Sequence, residues 1–250
     1  MLHPRWKRCC LRQSVTKEAE RTHEAIRKSQ GIGEFSIENL ILIHLKIGQY
    51  IYNEATNTQF IMVETFRAFV AIDLPESIRA SIGAAQEALK SYGFRVKWVR
   101  PESIHLTLKF LGNIDANRTD AIVNAMTLAA RGRAALHLNA SGIGVFPNAR
   151  RPRVIWVGLG GQVDHLKSLQ QTLDVHLADL GFPAERRPFK GHLTLGRVKG
   201  KIAADRMQAA LDKFNAFESK GFAANRVILF KSELHPTGAV YTQVAQANLD

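Results

Sequence analysis

Two short runs in this chain, His105-Leu106-Thr107-Leu108 and His192-Leu193-Thr194-Leu195, repeat the order imidazole, apolar, hydroxyl, apolar. In a β-strand, side chains two apart share a face. Each run would therefore project its His and Thr to one side and its leucines, with Ile104, into a core. If two such strands face each other across a groove, two imidazoles and two hydroxyls converge on one point. Imidazoles give and take protons near neutral pH. Threonine hydroxyls can donate to the non-bridging oxygens of a phosphate as charge builds there. Opening a cyclic phosphodiester needs this set: a base to activate water, an acid for the leaving ribose oxygen, and donors for the rest. A third copy, His235-Pro236-Thr237, lies in a proline-glycine turn and is set aside. Either His alone reads as a half-buried sheet residue. Their matched surroundings favour a working pair and suggest an internal duplication. Thr is a poor zinc ligand, and no carboxylate or third His stands at ligand spacing beside either run. The expectation is therefore no metal and no cofactor.

The elements that must hold these residues can be read from periodicity. Strands are predicted at 66–74, 96–99, 104–111, 136–143, 154–159, 192–198, 226–233 and 240–245. Helices are predicted at 76–91, 115–130, 163–180 and 203–214. The first has Ile78, Ile82, Ala85 and Leu89 on one face and stops at Gly93; the second has Ile122, Val123, Met126 and Leu128. Strands and helices are intermixed, with several hairpin-length connections. This predicts an α+β fold of mainly antiparallel sheets flanked by helices rather than a doubly wound parallel sheet. Gly142-x-Gly144 is not followed by a helix and is no dinucleotide fingerprint.

The chain has 250 residues and a formal net charge of +12, enough length for one large domain or two small ones. A basic surface attracts polyanions, nucleic acid foremost. The two cysteines, Cys9 and Cys10, are adjacent, which excludes a disulfide framework and fits a reducing, cytoplasmic setting. No run of about 18 apolar residues occurs, so no membrane span is expected. The nearest candidate, 40–51, is broken by His44, Lys46 and Gln49, and the N-terminus lacks the order of a secretory signal. Residues 1–61 differ in kind from the rest, with a basic start, a helical stretch at 16–29 and the apolar 40–51 patch. They are expected to be an N-terminal extension of unassigned status, either foreign to the working protein and poorly ordered or docked on the cleft. Residues 62–250 are expected to be the working domain.

The segments FRAFVAIDLP, KWVRPESIHLTLKFLG, FPNARRPRVIWVG, GFPAERRPFKGHLTLGRV and LFKSELHPTGAVYT resemble the RNA 2',3'-cyclic phosphodiesterase family, also called 2'-5' RNA ligases, of the two-histidine phosphoesterase superfamily. The resemblance covers residues 66–245. It implies a two-lobed, pseudo-symmetric fold with the active site in the cleft between lobes. It also implies that His105 is the proton donor and His192 the acceptor. The implied partner is RNA with a 2',3'-cyclic phosphate end, the product a 2'-phosphate, and the reverse activity a 2'-5' joining of RNA ends; a monomer is expected. Gly191 departs from the family, which usually has Pro there.

Further residues are candidates for substrate contact. Lys109 and Lys190 share the faces of His105 and His192 by period two, and Arg153 follows the Arg150-Arg151 cluster into a strand. Arg197, five after His192, falls on the opposite face unless a bulge intervenes. Trp98, Trp156 and Phe189 fit either base stacking or the core. His137, His165 and His176 lack a Thr partner and read as surface or structural. Two other functions stay open at this point. One is a phosphodiesterase on 2'-5' oligonucleotides or small cyclic nucleotides. The other is a non-catalytic RNA- or nucleotide-binding module on the same fold.

Overall fold

Buried apolar side chains of the strands and helices join in one hydrophobic core. The computed structural model describes residues 48–51 and 61–250, apart from 186 and 237. The basic start, the expected helix at 16–29, Cys9, Cys10 and most of the apolar 40–51 patch lie outside the described residues. The chain divides into two compact units, Met1–Thr65 and Phe66–Asp250. In the first, β1 (Gly48–Ile51) pairs antiparallel with the start of β2 (Ile61–Ile72), Gly48 opposite Glu64 and Ile51 opposite Ile61. A four-residue strand is too short to carry a period, so β1 was not among the strands expected from sequence.

In the second unit, α1 (Glu76–Lys90) buries Ile78, Ile82, Ala85 and Leu89 as spaced, and Gly93, at φ 68°, turns the chain after it. The order continues β3 (Val96–Trp98), β4 (Leu106–Asp115), α2 (Thr119–Ala130), β5 (Leu136–Phe146), β6 (Val154–Gly161), α3 (Val163–Asp179) and β7 (Leu193–Val198). It closes with α4 (Ala204–Lys213), β8 (Phe222–Ala224), β9 (Arg226–His235) and β10 (Gly238–Asn248). A 3-10 turn at Ala116–Arg118 delays the start of α2. Leu128, expected on the inner face of α2, is 41 % exposed, while Ala125, Ala129 and Ala130 are buried. The small residues let α2 lie close against α3.

The sheet order is β10-β9-β2-β4-β7-β6-β5-β8, with β3 beside the end of β7. Its two halves, β10-β9-β2-β4 and β7-β6-β5-β8, meet where β4 pairs with β7. The units β2-α1-β4 and β6-α3-β7 repeat each other, which makes the fold α+β, two-lobed and pseudo-symmetric, as expected. Leu106 and Leu193 face each other across the central pair and are fully buried. Each such leucine stabilises the fold by about 1.5–3 kcal/mol, so both motif strands are held from behind by the core.

Candidate active site

The register of the central strands determines which groups meet. Leu106 lies opposite Leu193 in an antiparallel pair. Continuing that register one residue each way sets His105 opposite Thr194 and Thr107 opposite His192. All four are half-buried, on the face away from the core leucines. The histidines are then diagonal neighbours, roughly 7–8 Å apart at the backbone, a span that lets two rings straddle one phosphate. Behind them, fully buried Gln86 of α1 donates from Nε2 to the carbonyls of Leu195, at 2.9 Å, and Val99, at 2.7 Å, steadying β7 beside Thr194.

Each imidazole is oriented in the same way. Nδ1 of His105 lies 2.9 Å from the Ser103 carbonyl, and Nδ1 of His192 lies 2.8 Å from the Lys190 carbonyl. A carbonyl only accepts, so Nδ1 carries the hydrogen in the neutral ring and Nε2 is left to exchange a proton. Aromatic rings wall both. His105 stacks on Phe69 at 4.6 Å and meets the edge of Tyr241 at 5.0 Å. His192 meets Phe146 edge-on at 5.0 Å, with Trp156 at 6.5 Å. The Trp156 indole lies over Gly144, where a Cβ would come within 2.3 Å of the ring; any other residue there would push it away. Phe69 precedes His105 by the same number of residues as Trp156 precedes His192, so the walls belong to the duplication. Burial lowers the proton affinity of His105 below its usual 6.5, opposed by the Ser103 hydrogen bond. Burial raises the pKa of the Tyr241 phenol, opposed by the nearby charges of Arg197 and Arg67.

Lys190 stands at the site as its spacing suggests, its Nζ 5.3 Å from the Trp156 ring centre and 5.4 Å from that of Phe146. Lys109 does not, and the expectation for it needs correcting. Leu106 and Leu108 are buried, but so are Lys109 and Leu111, while Phe110 is exposed and 6.0 Å from Phe69. The alternation therefore slips by one between Leu108 and Lys109 and turns the lysine inward. There it pairs with Asp174 and donates to the Pro183 carbonyl at 2.6 Å. Arg153 directly precedes β6. It is exposed at the head of β6, in phase with buried Ile155 and Val157 rather than with Trp156.

The same slip in β7 has the opposite consequence. Trp156 faces Thr194 and Val154 faces Arg197, with one extra residue in β7 between them. Such a bulge re-aims the side chains beyond it, so Arg197 returns to the His192 side. Lys109 and Gly196, four beyond each His, are buried, and Phe110 and Arg197, five beyond, are exposed. At Gly196 a Cβ would meet Val96 at 2.5 Å, so β3 can approach β7 closely only at a glycine. Trp98 and Phe189 pack against the core; His137 and His165 are exposed and His176 half-buried. Phe69, Phe146, Phe230 and Tyr241 were not singled out from sequence. The equal spacing of Phe69 and Trp156 before the histidines was the one signal available. Among the described residues no three His, Cys, Asp or Glu cluster as metal ligands, and no helix is long and apolar enough to cross a membrane.

Comparison with known proteins shows the family. A family model described as LigT like Phosphoesterase matches residues 72–156 and 158–241. The chain is 36% identical over 178 residues to an RNA 2',3'-cyclic phosphodiesterase of Methanothermobacter thermautotrophicus, covering 71% of this chain and 96% of that one. It is 34% identical over 180 residues to the protein of the same name from Methanocaldococcus jannaschii, covering 72% and 99%. Among solved structures, E. coli LigT complexed with 3'-AMP superposes with a TM-score of 0.59 at 25% identity, covering 74% of this chain and 99% of that one. A Thermus thermophilus protein superposes at 0.61 and 28%, covering 73% and 97%.

Proposed function

The chain belongs to the LigT-like phosphoesterase family, and from that premise we propose that it opens 2',3'-cyclic phosphodiester ends of RNA to 2'-phosphomonoesters by acid–base catalysis between His105 and His192. The observation that carries the reading is the central register, with a His directly before and a Thr within each of two adjacent strands, and both Nδ1 atoms tied to carbonyls.

In this mechanism Nε2 of His192 takes a proton from water as the water oxygen bonds to phosphorus. The bond from phosphorus to O3' breaks, and His105 gives its proton to that oxygen, leaving the phosphate on O2'. Thr107 and Thr194 donate to the non-bridging oxygens as negative charge grows there. His192 ends protonated and His105 neutral, and exchange with solvent resets both. Burial makes His105 the stronger acid once loaded with a proton, and the anionic phosphate supplies the charge that favours loading. Lys190 and Arg197 add positive charge on either side of Thr194. With the 5'-hydroxyl of a second RNA in place of water, the same steps would form a 2'-5' linkage.

The test is incubation of an RNA ending in 2',3'-cyclic phosphate, with and without EDTA, followed by identification of the new ends. The expected product is a 2'-phosphate at an unchanged rate in EDTA. A 3'-phosphate product, or loss of activity on chelation that zinc or manganese restores, would overturn the reading.

A further inference from the structure

We propose that Arg67 holds the phosphodiester one nucleotide upstream of the reacting end, so that the site reads the end of an RNA chain rather than a free nucleoside cyclic phosphate. This rests on the reaction proposed above and adds a second, separate phosphate position to it.

The face of β2 that carries Arg67 is the active-site face. Ala68, Val70 and Ile72 belong to the core, which leaves Phe69 and Arg67 on the other side, and Phe69 stacks directly on His105. Arg67 is two residues from Phe69, about 6.6–6.8 Å along the strand. That is close to the separation of consecutive phosphates in a single strand, so a chain with its terminal phosphate at the histidines brings the preceding one to Arg67. The neighbouring strands give this position a row of its own. Phe69 pairs with Phe230 in β9, so Ser232 falls opposite Arg67, and Ser232 pairs with Tyr241 in β10.

Two further observations indicate a ligand of negative charge. Arg67 is exposed and makes no hydrogen bond or ion pair among the described residues, and the hydroxyl of half-buried Tyr241 makes none either. Asp73 and Glu233 are engaged elsewhere, by Arg226 and Lys231. The positive charges of Arg67 and Arg197 both act on the Tyr241 phenol, whose ring meets His105 edge-on. The Tyr241 ring thus stands beside His105 in the field of both arginines. The single phosphate undergoing reaction is served by the threonines, Lys190 and Arg197, which leaves Arg67 and Tyr241 for the next one.

The test compares Arg67→Gln and Arg67→Lys on two substrates, a short RNA ending in 2',3'-cyclic phosphate and a nucleoside 2',3'-cyclic monophosphate. Arg67→Gln should raise KM for the RNA about tenfold, the loss of one charge-assisted contact, with kcat unchanged. It should leave both constants for the mononucleotide unchanged, and Arg67→Lys should retain most of the RNA affinity. The salt dependence of RNA binding should lose about 0.7 of a log–log unit, one phosphate contact on a single strand. Equal losses on the two substrates, or no loss on the RNA, would overturn the proposal. Fluorescence anisotropy of a labelled RNA bearing a 2'-phosphate end separates this from the reaction itself. If the wild-type protein turns over neither substrate, the proposed reaction fails. Weaker RNA binding by Arg67→Gln would still uphold the subsite, and unchanged binding would overturn it.

Discussion

Replacing Lys109 with Met asks whether that lysine belongs to the substrate or to the fold. Its side chain is 2% exposed and that of its partner Asp174 14%, and Asp174 also accepts from the Glu185 backbone N–H at 3.2 Å. Methionine fills the space of the aliphatic stem but removes the ammonium, leaving a largely buried carboxylate unpaired and the Pro183 carbonyl without its donor. Breaking one side of a buried pair costs about 3–5 kcal/mol. For a unit of this size each kcal/mol is worth about 2–4 °C in Tm, so a fall of roughly 6–20 °C is expected. The double variant Lys109→Met, Asp174→Leu should regain much of that loss, because no charge is then stranded. Thermal melts of the three proteins, with kinetics on a cyclic-phosphate RNA well below the lowered Tm, decide the matter. A Lys109→Met protein that melts like wild type but has a raised KM would refute the reasoning and restore Lys109 to the substrate.

Further expectations concern the hydroxyls, pH and the N-terminal segment. Thr107→Ala or Thr194→Ala should cost about 10²-fold in kcat, the scale of one oxyanion donor, with little change in Tm; a normal kcat would remove the threonines from the mechanism. His105 binds its proton less tightly in the fold than in the unfolded chain. Between its lowered pKa and 6.5 the unfolded state therefore holds more protons, and stability rises with pH through that window and is lost as pH falls. Denaturant titrations from pH 5 to 8 should show a shallower slope for His105→Phe than for wild type, and an identical slope would contradict the burial argument. Removing residues 1–61 should leave Tm and cyclic-phosphate hydrolysis unchanged, since the motif strands and their core lie in Phe66–Asp250. A truncated protein that precipitates or loses activity would show that the first segment is needed.

Much of the framework was legible because its signals were local. The spacing of Ile78, Ile82 and Leu89 marked α1, and alternation marked β4 and β7 and put Leu106 and Leu193 in the core. The His–Thr faces came from period two alone. The parts that were not legible depend on breaks in that period. One slip turned Lys109 inward and another brought Arg197 back to the site, and nothing in HLTLKF or HLTLGR marks where the extra residue falls. Leu128 was misplaced because helical period does not reveal how close α3 lies. The three-residue β8 is too short to show alternation. The aromatic walls were hidden for a different reason: Phe69, Tyr241 and Phe146 come from three distant strands, and only the sheet order brings them to the histidines.

The most direct test of the central claim is the pH dependence of kcat/KM on a cyclic-phosphate RNA, measured for wild type, His105→Ala and His192→Ala. With one histidine giving a proton and the other taking one, the wild-type profile should be bell-shaped. Each variant should lose at least about 10²-fold, and each should lose one limb: the acidic limb without the acceptor His192, the basic limb without the donor His105. Either variant turning over at the wild-type rate, or keeping both limbs, would contradict the two-histidine account.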